Sequence, residues 1–286
     1  MPAIVTASAG AAAPGLGKPA PSSAHRAQAI ESFVVARMGG TRPKGGYVDG
    51  VPVHALRSGA PVYPLVEPSL RPVRTDVPLD GQLAFRIDNV LTAAECDEIV
   101  SISERLGFLE VAPGVATPPG MRMNKSCHWL PDGSLSAAIF ARIGHLLPQK
   151  LDGHALHPRL SQKLAIYKYD KNDVFNRHTD GCFPSYGLSE DGDRMVEWTG
   201  VVSKLSLLLY LNGVEDGVCG GSTELYSPSG EVQEVKPKKG SVLFFRHDNG
   251  PGSVIHKGNK VTSETPKPVA RINVMYESGS GKSAYL

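Results

Sequence analysis

No apolar run in these 286 residues approaches the length of a bilayer-spanning helix, and the N-terminus has neither the charged start nor the apolar stretch of a secretory signal. Those absences exclude helical membrane proteins and predict a cytoplasmic protein without membrane contact. Cysteine is scarce as well. Cys96, Cys127, Cys182 and Cys219 are scattered without any C-x-x-C spacing, which excludes a zinc ribbon or a disulfide scaffold and predicts free thiols in a reducing compartment. Charge of one sign is also lacking: 30 Lys and Arg stand against 28 Asp and Glu. No nucleic acid or anionic membrane is therefore expected as partner, and a small or weakly charged one fits better. There is no internal repeat, and no arginine precedes Arg26, which disfavours an Arg-rich transit peptide.

What the chain does have is enough apolar residue, 41%, for one substantial core. Residues 1–23 are dominated by Ala, Gly, Pro and Ser, cannot bury enough surface to offset their ordering entropy, and are read as a disordered tail. Residues 24–83 are read as a segment wrapping the main domain. A short helix is predicted over 24–37, broken by Gly39, Gly40, Pro43, Gly45 and Gly46. Residues 84–286 form the expected main domain. It opens with a strand over 84–90; Thr92 and Glu95 then make a capping box for a helix carrying Ile99, Val100, Ile102 and Leu106, ended by Gly107. A second helix is predicted over 135–147, stopped by Pro148. After Leu160 the pattern changes to short β-rich runs (163–169, 204–211, 241–245, 269–276) separated by Gly, Asn and Pro turns, the rhythm of a jelly roll.

His178 and Asp180 stand two residues apart, so on extended backbone both side chains project to one face and could share a metal ion. Alone the pair decides nothing, since 9 His and 28 acidic residues yield about one such pair by chance. The order sharpens it: His256 lies in a later β-rich run and Arg271 opens the next strand, giving two imidazoles, one carboxylate and an anion anchor. Such a ligand set occupies one face of iron(II) and leaves three positions open, and zinc would also accept it. His247 is the rival distal ligand, but His256 sits the shorter distance before the strand of Arg271. The Arg271 guanidinium offers a fork for a carboxylate that Lys267 would meet only as a point charge.

From 164 to 277 these runs resemble the catalytic domain of the prolyl 4-hydroxylase-like iron(II)/2-oxoglutarate oxygenases. The similarity is carried by Ile166-Tyr167-Lys168-Tyr169, the turn over 175–180, the "LLYLN" strand over 207–212, Gly220-Gly221-Ser222-Thr223, the 237–241 turn, His256 and the "RINVMY" strand from Arg271. Asn273 departs from it, as does the long polar stretch 181–202. The resemblance implies an α+β fold with a double-stranded β-helix (jelly roll, cupin-like) core buttressed by N-terminal helices. It implies Fe(II) on His178, Asp180 and His256, with 2-oxoglutarate and O2 as cosubstrates. Arg271 and Tyr169 would bind 2-oxoglutarate. The implied reaction couples decarboxylation of 2-oxoglutarate to succinate and CO2 with oxidation, by default hydroxylation, of an unactivated C–H bond in a small-molecule or amino-acid-type substrate. Arg122, Asn124, Trp129 and Trp198 are the candidate substrate contacts, and 181–202 a candidate lid. The remaining histidines, His128 among them, are read as structural or exposed. Because Asp180 is present, a halogenase is disfavoured. A protein prolyl hydroxylase, a silent jelly-roll binding module and a metal isomerase needing no cosubstrate are the alternatives.

Overall fold

The computed structural model describes residues 31–57, 69–113, 117–248 and 250–279; the tail expected over 1–23 lies outside them. In chain order the elements are β1 (Ser32–Thr41), β2 (Tyr47–Leu56), β3 (Val73–Asp76), β4 (Ala84–Asp88), α1 (Ala93–Leu106), β5 (Ala112–Pro113), β6 (Lys125–Leu130), α2 (Ser134–Ile143), β7 (Lys150–Leu151) and β8 (His154–Leu160). There follow β9 (Leu164–Tyr169), β10 (Phe175–His178), β11 (Tyr186–Leu188), β12 (Met195–Glu197), β13 (Val201–Tyr210), β14 (Thr223–Tyr226), β15 (Val232–Val235), β16 (Val242–Arg246), β17 (Ile255–Gly258) and β18 (Lys267–Glu277).

The short helix expected over 24–37 is corrected: from Ser32 onward this stretch is strand β1, paired antiparallel with β2. Phe33, Val34 and Val35 favour a pleated, half-buried surface, and Tyr47–Leu56 is there to pair with it, so sheet pairing overrides a weak helical pattern. β2 joins β6 in parallel, which makes β1 and β2 an extension of the main sheet.

The main sheet has the order β3-β4-β16-β13-β18-β9-β6-β2-β1-β5, with β8 also pairing β18. A second sheet, β10-β17-β14-β15, faces it, and the two make the jelly roll. Alternation along each strand decides what lies on either side of the main sheet. On β18, Ala270, Ile272, Val274 and Tyr276 enter one apolar cluster together with Leu164 and Ile166 of β9 and Leu205, Leu207 and Leu209 of β13. That cluster is covered by Ile99 and Ile102 of α1 and Ile139 and Ile143 of α2. The opposite faces of the same strands present Arg271, Tyr167 and Tyr210 to the interior between the sheets. One end of that interior is closed by Tyr210, Leu225, Val235, Leu243, Phe245 and Val269. The other end is a cavity of about 600 Å³. All four cysteines are unpaired, and no described helix is long and apolar enough to cross a membrane.

The two helices are tied together by one charged contact. Thr92 and Glu95 form the capping box of α1, and Arg142 of α2 reaches both carboxylate oxygens of Glu95, Nη2 to Oε1 at 2.7 Å and Nη1 to Oε2 at 2.9 Å. Burial raises the Glu95 pKa, but the bonds from Arg142 and Thr92 outweigh it and hold the carboxyl below its usual range. Arg142→Met is expected to cost about 3–5 kcal/mol at neutral pH, because it strands a buried carboxylate. Because the Glu95 pKa is depressed in the fold, this contribution is present at neutral pH and lost as pH falls through the lowered value, so urea melts of the two proteins should converge in acid. A gap that does not change with pH would show that the loss comes from packing.

Candidate metal centre

β10 and β17 pair antiparallel with His178 directly opposite His256, and the turn after β10 brings Asp180 back beside both. The three side chains offer ligand atoms all within 4.8 Å of one another. His178 Nε2 lies 3.8 Å from Asp180 Oδ1, and His256 Nε2 lies 3.9 Å from Asp180 Oδ2. Each imidazole is oriented from behind by a backbone carbonyl: His178 Nδ1 donates to Asn176 O at 2.6 Å and His256 Nδ1 to Val254 O at 3.1 Å. A carbonyl only accepts, so the proton sits on Nδ1 and the Nε2 lone pair of each ring is free to bind a metal. Buried His178 Nε2 has no hydrogen-bond partner among the described residues, as expected of a ligand atom without its ion. Burial outweighs the pull of the Asp180 carboxylate, pushing the His178 pKa down to about 3 and lowering that of His256, so both stay neutral. The donor set therefore fits a divalent ion of the iron or zinc type.

Asp180 is largely withdrawn from solvent, which raises its pKa, but the Arg271 guanidinium beside it outweighs this and holds the carboxyl well below its usual range. Arg271 Nε donates to Asp180 Oδ2 at 3.2 Å and Ser206 Oγ donates to the same oxygen at 2.5 Å. Ser206 in turn accepts from His247 Nδ1 at 2.9 Å, and His247 Nε2 accepts from Ser203 Oγ at 2.9 Å. Both nitrogens of His247 are thus occupied, which removes it as rival ligand and makes it a support for the Asp180 carboxylate.

The cavity wall follows the strand registers. Arg271 lies opposite Leu208 on β13 and Ala165 on β9, and Ala165 lies opposite His128 on β6. Deeper along the sheet, Lys267 pairs with Tyr169. Lys267 is 3% exposed, donates to Gly221 O at 2.6 Å and sits 4.7 Å from the Tyr169 ring centroid. The Gly220-Gly221 turn has φ of +68° and +65°, a conformation glycine adopts without strain, and it aims that carbonyl at the lysine. Tyr210 and Thr223, hydroxyl to hydroxyl at 2.8 Å, line the same end of the cavity.

Of the candidate substrate contacts, Arg122 lines the cavity and Asn124 holds it, accepting from Arg122 Nε at 2.7 Å. Trp129 is corrected: it points to the helix side of the main sheet, fully buried, its Nε1 donating to Ser103 Oγ at 3.1 Å. Strand parity explains it, since His128 and Trp129 must face opposite ways. Trp198 is corrected too, packing on His157 and Arg159 outside the cavity. From the 181–202 stretch, Cys182, Phe183, Pro184 and Tyr186 line the cavity, and β11 and β12 form a hairpin. Lys163, His128, Ser206, Tyr210 and Thr223 were not singled out from sequence. The signal for Lys163 was present, as it shares the parity of Tyr167 and Tyr169.

Substituting His178, Asp180 or His256 by Ala is expected to weaken cobalt(II) or anaerobic iron(II) binding by more than the roughly 10–100-fold that loss of a residue behind the ligands costs. His247→Ala should fall inside that range. Calorimetric titration in which His247→Ala loses more affinity than His256→Ala would reverse the assignment.

The sequence of residues 164–275, which includes all three ligands, Lys267 and Arg271, matches the model of the 2OG-Fe(II) oxygenase superfamily. No curated protein matches significantly. Among solved structures, the viral collagen prolyl hydroxylase of Paramecium Bursaria Chlorella virus-1, in its 2OG complex, is 19% identical and aligns over 70% of this chain and 99% of its own, with TM-score 0.47. A prolyl hydroxylase from Trichoplax adhaerens, in complex with a hypoxia inducible factor peptide, is 18% identical over 68% of this chain and 83% of its own, TM-score 0.47. A Pseudomonas putida prolyl-4-hydroxylase is 13% identical over 69% and 93%, TM-score 0.44. Residues 164–275 thus form a 2OG-Fe(II) oxygenase domain, and the chain that carries it is a non-haem iron, 2-oxoglutarate-dependent dioxygenase.

Proposed function

We propose that this dioxygenase couples conversion of 2-oxoglutarate to succinate and CO2 with hydroxylation of an unactivated C–H bond in a small-molecule or amino-acid-type substrate. The observation that carries this reading is one cavity holding both the neutral-imidazole, carboxylate ligand set and, deeper in, a buried cation, Lys267, with no counter-ion among the described residues. Iron(II) held by His178, Asp180 and His256 would supply dioxygen activation against the cosubstrate. Enclosure by Phe175, Phe183, Pro184 and Tyr186 keeps water from the reacting centre. A cavity of about 600 Å³ is of small-molecule size. The free thiols support a reducing, cytoplasmic setting.

The cosubstrate anchor moves from Arg271 to Lys267 in this reading. Arg271 is already engaged by Asp180 and Ser206, beside the metal ligands, whereas the distal carboxylate of a 2-oxoglutarate would need a cation that the protein has not itself neutralised. Lys267 stands four residues back on the same face of β18, roughly 13 Å along the strand. Among the described residues no carboxylate pairs with it, and burial lowers its pKa to about 8. A buried ammonium whose partners are only a carbonyl and a ring face is costly unless an anion binds there. Tyr169, Tyr210 and Thr223 line the cavity with it, and Tyr169 keeps its role at the cosubstrate.

Succinate formation from 2-oxoglutarate, dependent on iron and O2, tests the activity. Lys267→Met should raise the 2-oxoglutarate KM about thirty-fold or more, the effect of losing roughly 2 kcal/mol or more of a buried charged contact, with metal affinity kept. Arg271→Met should instead weaken metal binding, because it uncovers Asp180. The reverse pattern would return the anchor to Arg271. The lysine is charged below its lowered pKa and loses its charge above it, so the wild-type KM should rise above pH 8 while Lys267→Arg stays flat.

A further inference from the structure

Four cationic side chains, Arg122, Lys163, Lys267 and Arg271, line the cavity, and Asp180 is the one carboxylate among the described lining residues. Arg271 is spent on Asp180. Lys267 belongs to the cosubstrate in the reading above, on which this inference rests. Arg122 and Lys163 are left over, and none of their described contacts is a carboxylate. Arg122 is held by Asn124 and lies over the rings of Tyr167 and Phe175, at 4.1 and 4.6 Å from their centroids. Its backbone bridges to Phe175, whose ring stacks on the ligand His178 at 3.5 Å between centroids, so the guanidinium flanks the metal centre. Lys163 Nζ has the Met38 sulfur at 3.4 Å and the Tyr186 ring at 4.9 Å.

His128 lines the same cavity, and the charges of both cations reach it. It is 2% exposed, and neither ring nitrogen has a hydrogen-bond partner among the described residues. Its pKa is pushed well below the usual value by burial and by the charges of Lys163 and Arg122, so it is a neutral ring with one donor and one acceptor to spare. Burial and the charge of Arg271 lower the Lys163 pKa to about 8. Two cations that meet neutral groups but no carboxylate among the described residues, and an imidazole with no hydrogen-bond partner there, line one cavity, and burial of such groups is costly until an acceptor with negative charge arrives. An oxyanion satisfies all three. Beside them Met38, Pro118, Met121, Phe183 and Pro184 offer an apolar wall for the rest of such a molecule.

We propose that the substrate of this enzyme is a small organic oxyanion, its acid group held by Lys163 and Arg122 with a hydrogen bond from His128 and its apolar body against the methionine and proline wall. The acid group is the handle that orients the molecule, and the C–H bond to be oxidised belongs to the body that extends from this handle toward His178 and Asp180.

Calorimetric titration and thermal shift of the zinc-loaded full-length protein, with and without saturating 2-oxoglutarate, test this with matched probes: hexanoate and 3-phenylpropionate, their primary amides, and hexyl phosphate. The acids or the phosphate ester should bind in the presence of 2-oxoglutarate and the amides should not, which also tells carboxylate from phosphate. Lys163→Met and Arg122→Gln should each lower the anion affinity ten-fold or more, while Lys163→Arg retains most of it. Amides that bind as well as acids, variants that bind like wild type, or no anion binding at all would overturn the proposal. So would anion binding lost in Lys267→Met but kept in Lys163→Met, which puts the probe in the cosubstrate site. If 2-oxoglutarate itself does not bind while the Lys163-dependent anion site persists, the cosubstrate reading fails and the anion site stands.

Discussion

A carboxylate can be buried at the mouth of this jelly roll only because Arg271 and Ser206 reach Asp180 from neighbouring strands. Unpaired, the Asp180 charge would take up a proton or draw in water, and the ligand set would lose its negative member. Paired, it is held ionised with one oxygen near His178 and the other near His256. The His247, Ser206 and Ser203 chain behind it fixes the orientation of the carboxylate, since Ser206 Oγ is itself held by His247 and His247 by Ser203. The metal centre thus depends as much on β13, β16 and β18 as on the strands that carry the ligands.

The same burial organises the rest of the cavity by charge. A jelly roll with an apolar plug at one end leaves its open end for polar groups, and cations predominate there. Arg271, beside the metal ligands, is neutralised by Asp180. The other cations of the cavity pair with no carboxylate among the described residues, so they favour anions from outside: one at Lys267 beside Tyr169, and one at Lys163 and Arg122. The two sites differ in chemistry. Lys267 lines the cavity with hydroxyls and a ring face, whereas Lys163 and Arg122 line it with the imidazole of His128 and apolar side chains, which separates the anion meant for each.

Much of this was legible from residue order. The capping box of α1, the β-rich second half, and His178, Asp180 and His256 in sequence are local patterns, and local patterns survive without knowledge of the fold. The errors came where a partner far away in sequence decides the outcome. Residues from Ser32 onward form a strand because Tyr47–Leu56 pairs with them. Trp129 is a core residue because its neighbour His128 takes the cavity face. Arg271 read as a free guanidinium fork until Asp180 was found against it, 91 positions earlier in the chain.

The sequence by itself determined the reaction class, because metal ligands, their order and the strand rhythm around them are set by residue types at short spacings. Only the tertiary structure decided which cation is met by a carboxylate and which by neutral groups alone. A charge is satisfied through space, by whatever the sheet registers bring within about 3–4 Å of it, and no spacing along the chain carries that information.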